Sequence, residues 1–215
     1  MKTGVIDLYY SFLKYLNGKR EKIAPLQLTG KIEDYLVKEF IYHIYNISKG
    51  NVFALTNLGN KGERKIDICL LKGNAKNPII YGMIEMKYLR NRHRLSHHDA
   101  TDEIYQSLNS LSKQIAPFSR KEHGGYKVKL SAKSKNIYGI VFASYVTETY
   151  GDKERKEEFY NEKILKKAEK LGFRYHDLKK PYFRPIFEDV SIDVLNEKYY
   201  ITLKAGLWNR RKNDK

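Results

Sequence analysis

Ile79-Ile80-Tyr81-Gly82-Met83-Ile84-Glu85-Met86-Lys87-Tyr88 is an apolar run interrupted by two charged residues. It predicts a strand, and because side chains alternate across a strand, Glu85 and Lys87 share one face while Ile80, Gly82, Ile84, Met86 and Tyr88 share the other. Burying the apolar face would hold the charged pair rigidly at the strand end. A second predicted strand, Lys65-Ile66-Asp67-Ile68-Cys69-Leu70-Leu71, precedes it across the turn Gly73-Asn74-Ala75-Lys76-Asn77-Pro78. If the two strands pair, Asp67 comes alongside, and two carboxylates and an ammonium converge.

Those residue types suit one chemistry. Mg²⁺ is a hard ion that takes oxygen ligands and keeps several waters, so Asp67, Glu85 and the Met86 carbonyl would serve it without a full protein cage. A metal so held polarises a phosphate and acidifies a bound water, and Lys87 is placed to orient that water or to offset charge on the phosphorus oxygens. Histidine is not required. Glu-x-Lys recurs as Glu63-Arg64-Lys65 and Glu154-Arg155-Lys156, but in charged stretches with no apolar frame, which read as solvated surface. The Glu85 copy breaks an apolar pattern, a cost that function explains and that a charged edge strand would also explain.

The neighbouring elements follow from periodicity. Residues 4–16 predict a short amphipathic helix, and Gly18-Lys19-Arg20-Glu21-Lys22 a charged loop ending near Pro25. Thr29 or Gly30 opens a long helix to about Ser48, with Ile32, Leu36, Phe40, Ile44 and Ile47 at helical spacing. Glu33 lies on it, one turn ahead of Leu36 and Val37 and toward the apolar side, which favours it over Asp34 as a site residue. A strand at Asn51–Thr56 and the turn Leu58–Gly62 precede the Asp67 strand, so three successive strands form a meander. A further helix is expected from about Asp99 to Ile115, and a central apolar strand at Asn136–Ala143, parallel to a meander strand because a helix intervenes. A charged helix at about 153–171 and a hairpin of Phe187–Leu195 with Lys198–Leu203 around Asn196-Glu197 complete the chain. The basic tail from Trp208 reads as a frayed terminus, with contact to DNA as the alternative.

The constellation resembles the PD-(D/E)xK nuclease superfamily, whose core runs helix, three strands, helix, strand. The matching residues are Gly30-Lys31-Ile32-Glu33 on the helix, Asp67 in Lys65-Ile66-Asp67-Ile68, and Glu85-Met86-Lys87; no proline precedes Asp67. The resemblance spans roughly residues 25–147 in element order. It implies an α/β fold with a mixed central sheet flanked by helices, the restriction endonuclease-like αβββαβ core. It further implies that Asp67 and Glu85 bind a divalent metal, that Lys87 assists the nucleophilic water, and that Glu33 completes the metal site. Some nucleases of this kind carry a functional Gln on the later helix in a Gln-x-x-x-Tyr pattern. Gln106 occupies that place here, but Ser110 stands where the Tyr would be, so a surface amide remains the competing reading.

Composition supports the same partner. The chain has 215 residues, enough for one domain over 1–215 with a C-terminal extension at about 153–205, and its net charge of +16 points to a polyanion. Arg90, Arg92 and Arg94, in the basic loop after Lys87, are expected to contact phosphates. Lys127 and Lys129 would line one side of a strand at Tyr126–Leu130 that either tracks a duplex or is merely solvated. The single cysteine, Cys69, excludes an internal disulfide and a cysteine-based zinc cluster, and is expected to be a buried small hydrophobe. None of the eighteen tyrosines is assigned a base contact. Residues 1–7 hold no signal-peptide core and no apolar run spans a bilayer, so a cytoplasmic protein without membrane contact is expected. The expected activity is Mg²⁺-dependent hydrolysis of DNA, with Mn²⁺ able to substitute, by a small restriction-type endonuclease. Double-strand cutting uses two active sites, so a homodimer is expected. The alternatives are a structure-selective, junction-resolvase-like nuclease and a non-catalytic nucleic-acid-binding relative.

Overall fold

The computed structural model describes residues 4–29, 32–58, 66–73, 79–91, 120–123, 126–130, 137–153, 173–175 and 183–210. The chain is α/β, with helices against a mixed sheet. The described helices are α1 (Val5–Gly18), α2 (Arg20–Thr29) and α3 (Glu33–Ser48). The strands are β1 (Phe53–Leu58), β2 (Ile66–Lys72), β3 (Ile79–Arg90), β4 (Arg120–His123), β5 (Tyr126–Leu130), β6 (Ile137–Thr147), β7 (Phe173–Tyr175), β8 (Arg184–Val194) and β9 (Glu197–Arg210).

β1, β2 and β3 pair antiparallel, which is the predicted meander. β6 lies parallel to β3 along Met83–Arg90, the expected orientation, and between β3 and β9, the central place that its apolar run implied; β5 takes the start of the same edge of β3 at Ile79 and Ile80. β9 lies antiparallel to β6 from end to end and carries β8 and β7 on its other side.

One sheet face and the helices share the core. Ile68, Leu70, Ile84, Met86, Ile140 and Phe142 point from the sheet to Leu8, Phe12, Leu16, Leu36, Phe40 and Ile44. Phe12 anchors this layer, its ring 4.7 Å from Phe40 and 6.3 Å edge-on from Phe142. The alternate residues Cys69, Met83, Leu89, Val141 and Ala143 are buried too. Strands covered on both faces read as unbroken apolar runs, and that is how β2, β3 and β6 read. Cys69 is fully buried, and burial pushes its thiol up to about 12.

A close approach fixes α1 on β3. A Cβ on Gly82 would come within 2.9 Å of Val5 Cγ2, at the first turn of α1. Gly82→Ala is therefore expected to lower stability by about 1–3 kcal/mol through overpacking, seen as an earlier midpoint in urea. A variant that unfolds with the wild type would mean that α1 retreats at no cost.

Several expectations need correction. The stretch expected to be a charged loop up to Pro25 is helix α2, with Pro25 inside it. Ile23 and Ala24 are fully buried and anchor that helix, while Arg20, Glu21 and Lys22 stay exposed. α3 begins at Glu33, with Ile32 at its N-cap, rather than at Thr29 or Gly30. Ile32, Leu36, Phe40 and Ile44 reach the core, but Ile47 is 43% exposed. The C-terminal hairpin turns at Leu195-Asn196, both at positive φ, a two-residue turn whose twist matches its strands, one position before the expected turn. Its second strand runs to Arg210, so Trp208 is fully buried in the sheet and not part of a frayed tail. The helices expected at 99–115 and 153–171 lie outside the described residues, apart from Lys153.

Candidate active site

The β2–β3 register pairs Ile68 with Ile84 and Cys69 with Met83. Continued by one residue, it sets Asp67 beside Glu85 on the same face, since directly opposed residues of an antiparallel pair point the same way. Beyond this point carboxylates take over the edge of β3. The Met86 N–H donates to Asp67 Oδ2 at 2.8 Å, and the Tyr88 N–H donates to Glu33 Oε2 at 2.9 Å. Successive same-edge donors of β3 thus meet one carboxylate from β2 and one from the N-terminus of α3. The Met86 carbonyl faces the same edge as its N–H, because both groups of a strand residue point to one neighbour.

Lys87 completes the cluster. Its Nζ lies 3.1 Å from Glu33 Oε1 and 3.5 Å from Glu85 Oε1. Burial works against its charge, yet the carboxylates of Glu85, Glu33 and Asp67 outweigh that and hold the ammonium above its ordinary range. Glu85 is only 4% exposed, whereas the Lys87 side chain keeps 18% and that of Glu33 37%. The cluster is a buried acid with a cation and a second acid toward solvent.

The four residues singled out in the sequence are therefore neighbours, though they divide by role. Asp67, Glu85 and the Met86 carbonyl are hard oxygen donors, the set that a Mg²⁺ ion accepts while it keeps several waters. Glu33 has both oxygens engaged, one by a backbone N–H and one by Lys87. Among the described residues no three His, Cys, Asp or Glu side chains group closely enough to hold a metal. Two carboxylates and a peptide carbonyl would leave water to fill the other positions.

Arg90 has a partner inside the fold. It is the last residue of β3, and its Nη1 donates to the Leu28 carbonyl at 3.1 Å, closing the end of α2. Through that nitrogen it clamps a helix end. Arg92, Arg94 and Gln106 lie outside the described residues. Lys127 and Lys129 alternate along β5, where Lys129 aligns with Ile79, and the description extends only to their backbone.

The supports around the cluster lie in side chains that sequence pattern does not single out. Tyr88 Oη donates to Gln27 Oε1 at 2.7 Å, and the fully buried Gln27 is fixed in turn by its Nε2 on the Ile23 carbonyl. Burial pushes the Tyr88 hydroxyl up to about 12, so it remains a donor at neutral pH. Asn91 ends β3 by imitating a strand: its Nδ2 donates to the Val146 carbonyl and its Oδ1 accepts from the Val146 N–H, at 2.8 and 2.7 Å. Only the polarity of Gln27 within Ile23-Ala24-Pro25-Leu26-Gln27-Leu28 could have flagged this network.

No protein-family model, curated protein or solved structure matches the chain.

Proposed function

We propose that the protein is a Mg²⁺-dependent deoxyribonuclease of the PD-(D/E)xK kind, acting as a restriction-type endonuclease. The observation that carries the reading is the meeting of Asp67 and Glu85 on adjacent strands with Lys87 between Glu85 and Glu33. The element order supports it: α3, the meander β1–β3, then β6 returning parallel to β3 after an intervening segment. That order is compatible with the αβββαβ core. The net charge of +16 supports a polyanionic substrate, and two such sites in a homodimer would cut both strands of a duplex.

Asp67, Glu85 and the Met86 carbonyl would hold the metal, which when bound supplies Lewis-acid charge to the phosphodiester and acidifies a water. Lys87 offers an ammonium to orient the attacking water and to offset charge developing on the phosphorus oxygens. Glu33 is a positioning residue, holding the Lys87 ammonium with one oxygen and the Tyr88 backbone with the other.

A non-catalytic nucleic-acid-binding protein is the competing reading. It draws on the same bonds, since Asp67 and Glu33 both cap the edge of β3 and Lys87 already spans two acids. One assay decides between them. The purified protein should cleave duplex DNA with Mg²⁺ or Mn²⁺ and stop in excess chelator, with Ca²⁺ weak or inhibitory because of its looser geometry. Methylated duplex, single strand and four-way junction tested in parallel separate restriction from junction resolution. Binding without cleavage across metals and substrates would establish the non-catalytic reading.

A further inference from the structure

A groove of about 420 Å³ runs between α3 and β1, lined among others by Lys38, Ile41, Tyr42, Tyr45, Val52 and Phe53. It is separate from the carboxylate cluster. Tyr42 and Tyr45 stand three residues apart on α3, so both belong to the same outward side of the helix. Phe53 opens the groove from the opposite wall, on the strand that forms the edge of the sheet among the described residues. These rings are 57%, 62% and 49% exposed, too wet to serve the core that the rest of α3 packs into. Lys38 is the charged residue among those lining the groove, and no acid lines it.

We propose that this groove binds unpaired nucleobases of a single-stranded segment of nucleic acid, the tyrosines and Phe53 stacking on bases and Lys38 meeting the backbone. The choice of polymer rests on the nuclease reading and on charge complementarity. A chain of net charge +16 attracts a polyanion, and the groove itself carries Lys38 with no acid to oppose it. Aromatic faces stack with any base, and an apolar wall with a flanking lysine is the usual arrangement for holding an unpaired strand. The groove and the site share helix α3. Tyr42 and Tyr45 lie nine and twelve residues beyond Glu33, roughly 14 and 18 Å along α3 at its regular rise. A strand that enters or leaves the cluster could be gripped there a few nucleotides away.

The test is fluorescence anisotropy of labelled oligothymidylate and of a blunt duplex, in excess chelator so that neither is cut. The Tyr42→Ala/Tyr45→Ala variant should bind oligothymidylate about tenfold more weakly or worse, with a much smaller change for the duplex, whose bases are already stacked. Tyr45→Phe, which keeps the ring, should bind as the wild type does. Both tyrosines are exposed, so circular dichroism and thermal melting should match the parent. Unchanged affinity of the double alanine variant for oligothymidylate, or a wild type that does not bind it, overturns the proposal. So does a dimer seen by sedimentation that the double variant loses while its single-strand affinity holds, because the groove would then belong to a second copy. Failure of the wild type to cleave with metal counts against the nuclease reading alone and leaves this binding result standing.

Discussion

Glu85→Gln is expected to lower metal-dependent DNA cleavage at least about a thousandfold, because a bound metal contributes several kcal/mol of transition-state stabilisation and each 1.36 kcal/mol is a factor of ten. The substitution keeps the volume of a side chain that is 4% exposed and removes only its charge. Lys87 keeps Glu33 at 3.1 Å, so the local structure retains an ion pair. DNA binding without metal should be equal or tighter, since a carboxylate facing a phosphate repels it. Asp67→Asn should behave alike, with some loss of stability because Asp67 also accepts from the Met86 N–H. Single-turnover cleavage together with anisotropy in chelator measures both effects. A Glu85→Gln protein that cuts at the parental rate would remove Glu85 from the metal site and the nuclease reading with it.

Lys87→Met should damage both activity and the fold. The methionine keeps the stem but withdraws the ammonium that faces Glu85 at 3.5 Å and Glu33 at 3.1 Å. Breaking a buried ion pair by deleting one partner costs about 3–5 kcal/mol, and the low end applies here because Lys87 is partly open to water. Cleavage should fall about a hundredfold or more beyond any loss of folded protein, as expected for one preorganised charge aimed at the transition state. The double variant Glu85→Gln/Lys87→Met separates the two effects. It should recover much of the stability, because the isolated acid has gone with the cation, and none of the activity. Urea titrations that give additive losses in the double variant would mean that Glu85 and Lys87 do not stabilise one another.

Much of this arrangement was readable from local pattern. β2, β3 and β6 announce themselves by continuous apolar runs bounded by turn residues, and in β3 the charged pair marks its own face by alternation. Helical phase alone favours Glu33 over Asp34, and it is Glu33 that bonds Tyr88 and Lys87. What escaped the sequence depended on distant partners. Arg90 sits at the start of a basic stretch and looks like a phosphate ligand, yet its guanidinium closes a helix end at Leu28, a contact that no local pattern encodes. Pro25 and the charges before it suggest a break, but two buried residues, Ile23 and Ala24, hold α2 in place. At the C-terminus, Ile201, Leu203, Ala205 and Leu207 do alternate toward the core. The basic residues after Trp208 conceal how far that strand continues, because charge density suggests solvation although the neighbouring strand supplies partners up to Arg210.

The burial of Cys69 has a practical consequence for every experiment above. Thiol reagents attack the thiolate, and a sulfur without solvent access whose pKa stands near 12 presents almost none at neutral pH. The native protein is thus expected to react with maleimides only as its core opens, and a cysteine introduced on the surface becomes the fast-reacting handle while the fold holds. Leu195, 92% exposed at the tip of the β8–β9 hairpin, is a natural position for a fluorophore or a spin label. The same property makes Cys69 a clock for opening of the β2–β3 core: the rate at which it takes up a reagent under native conditions reports how often the strands that hold Asp67 and Glu85 come apart.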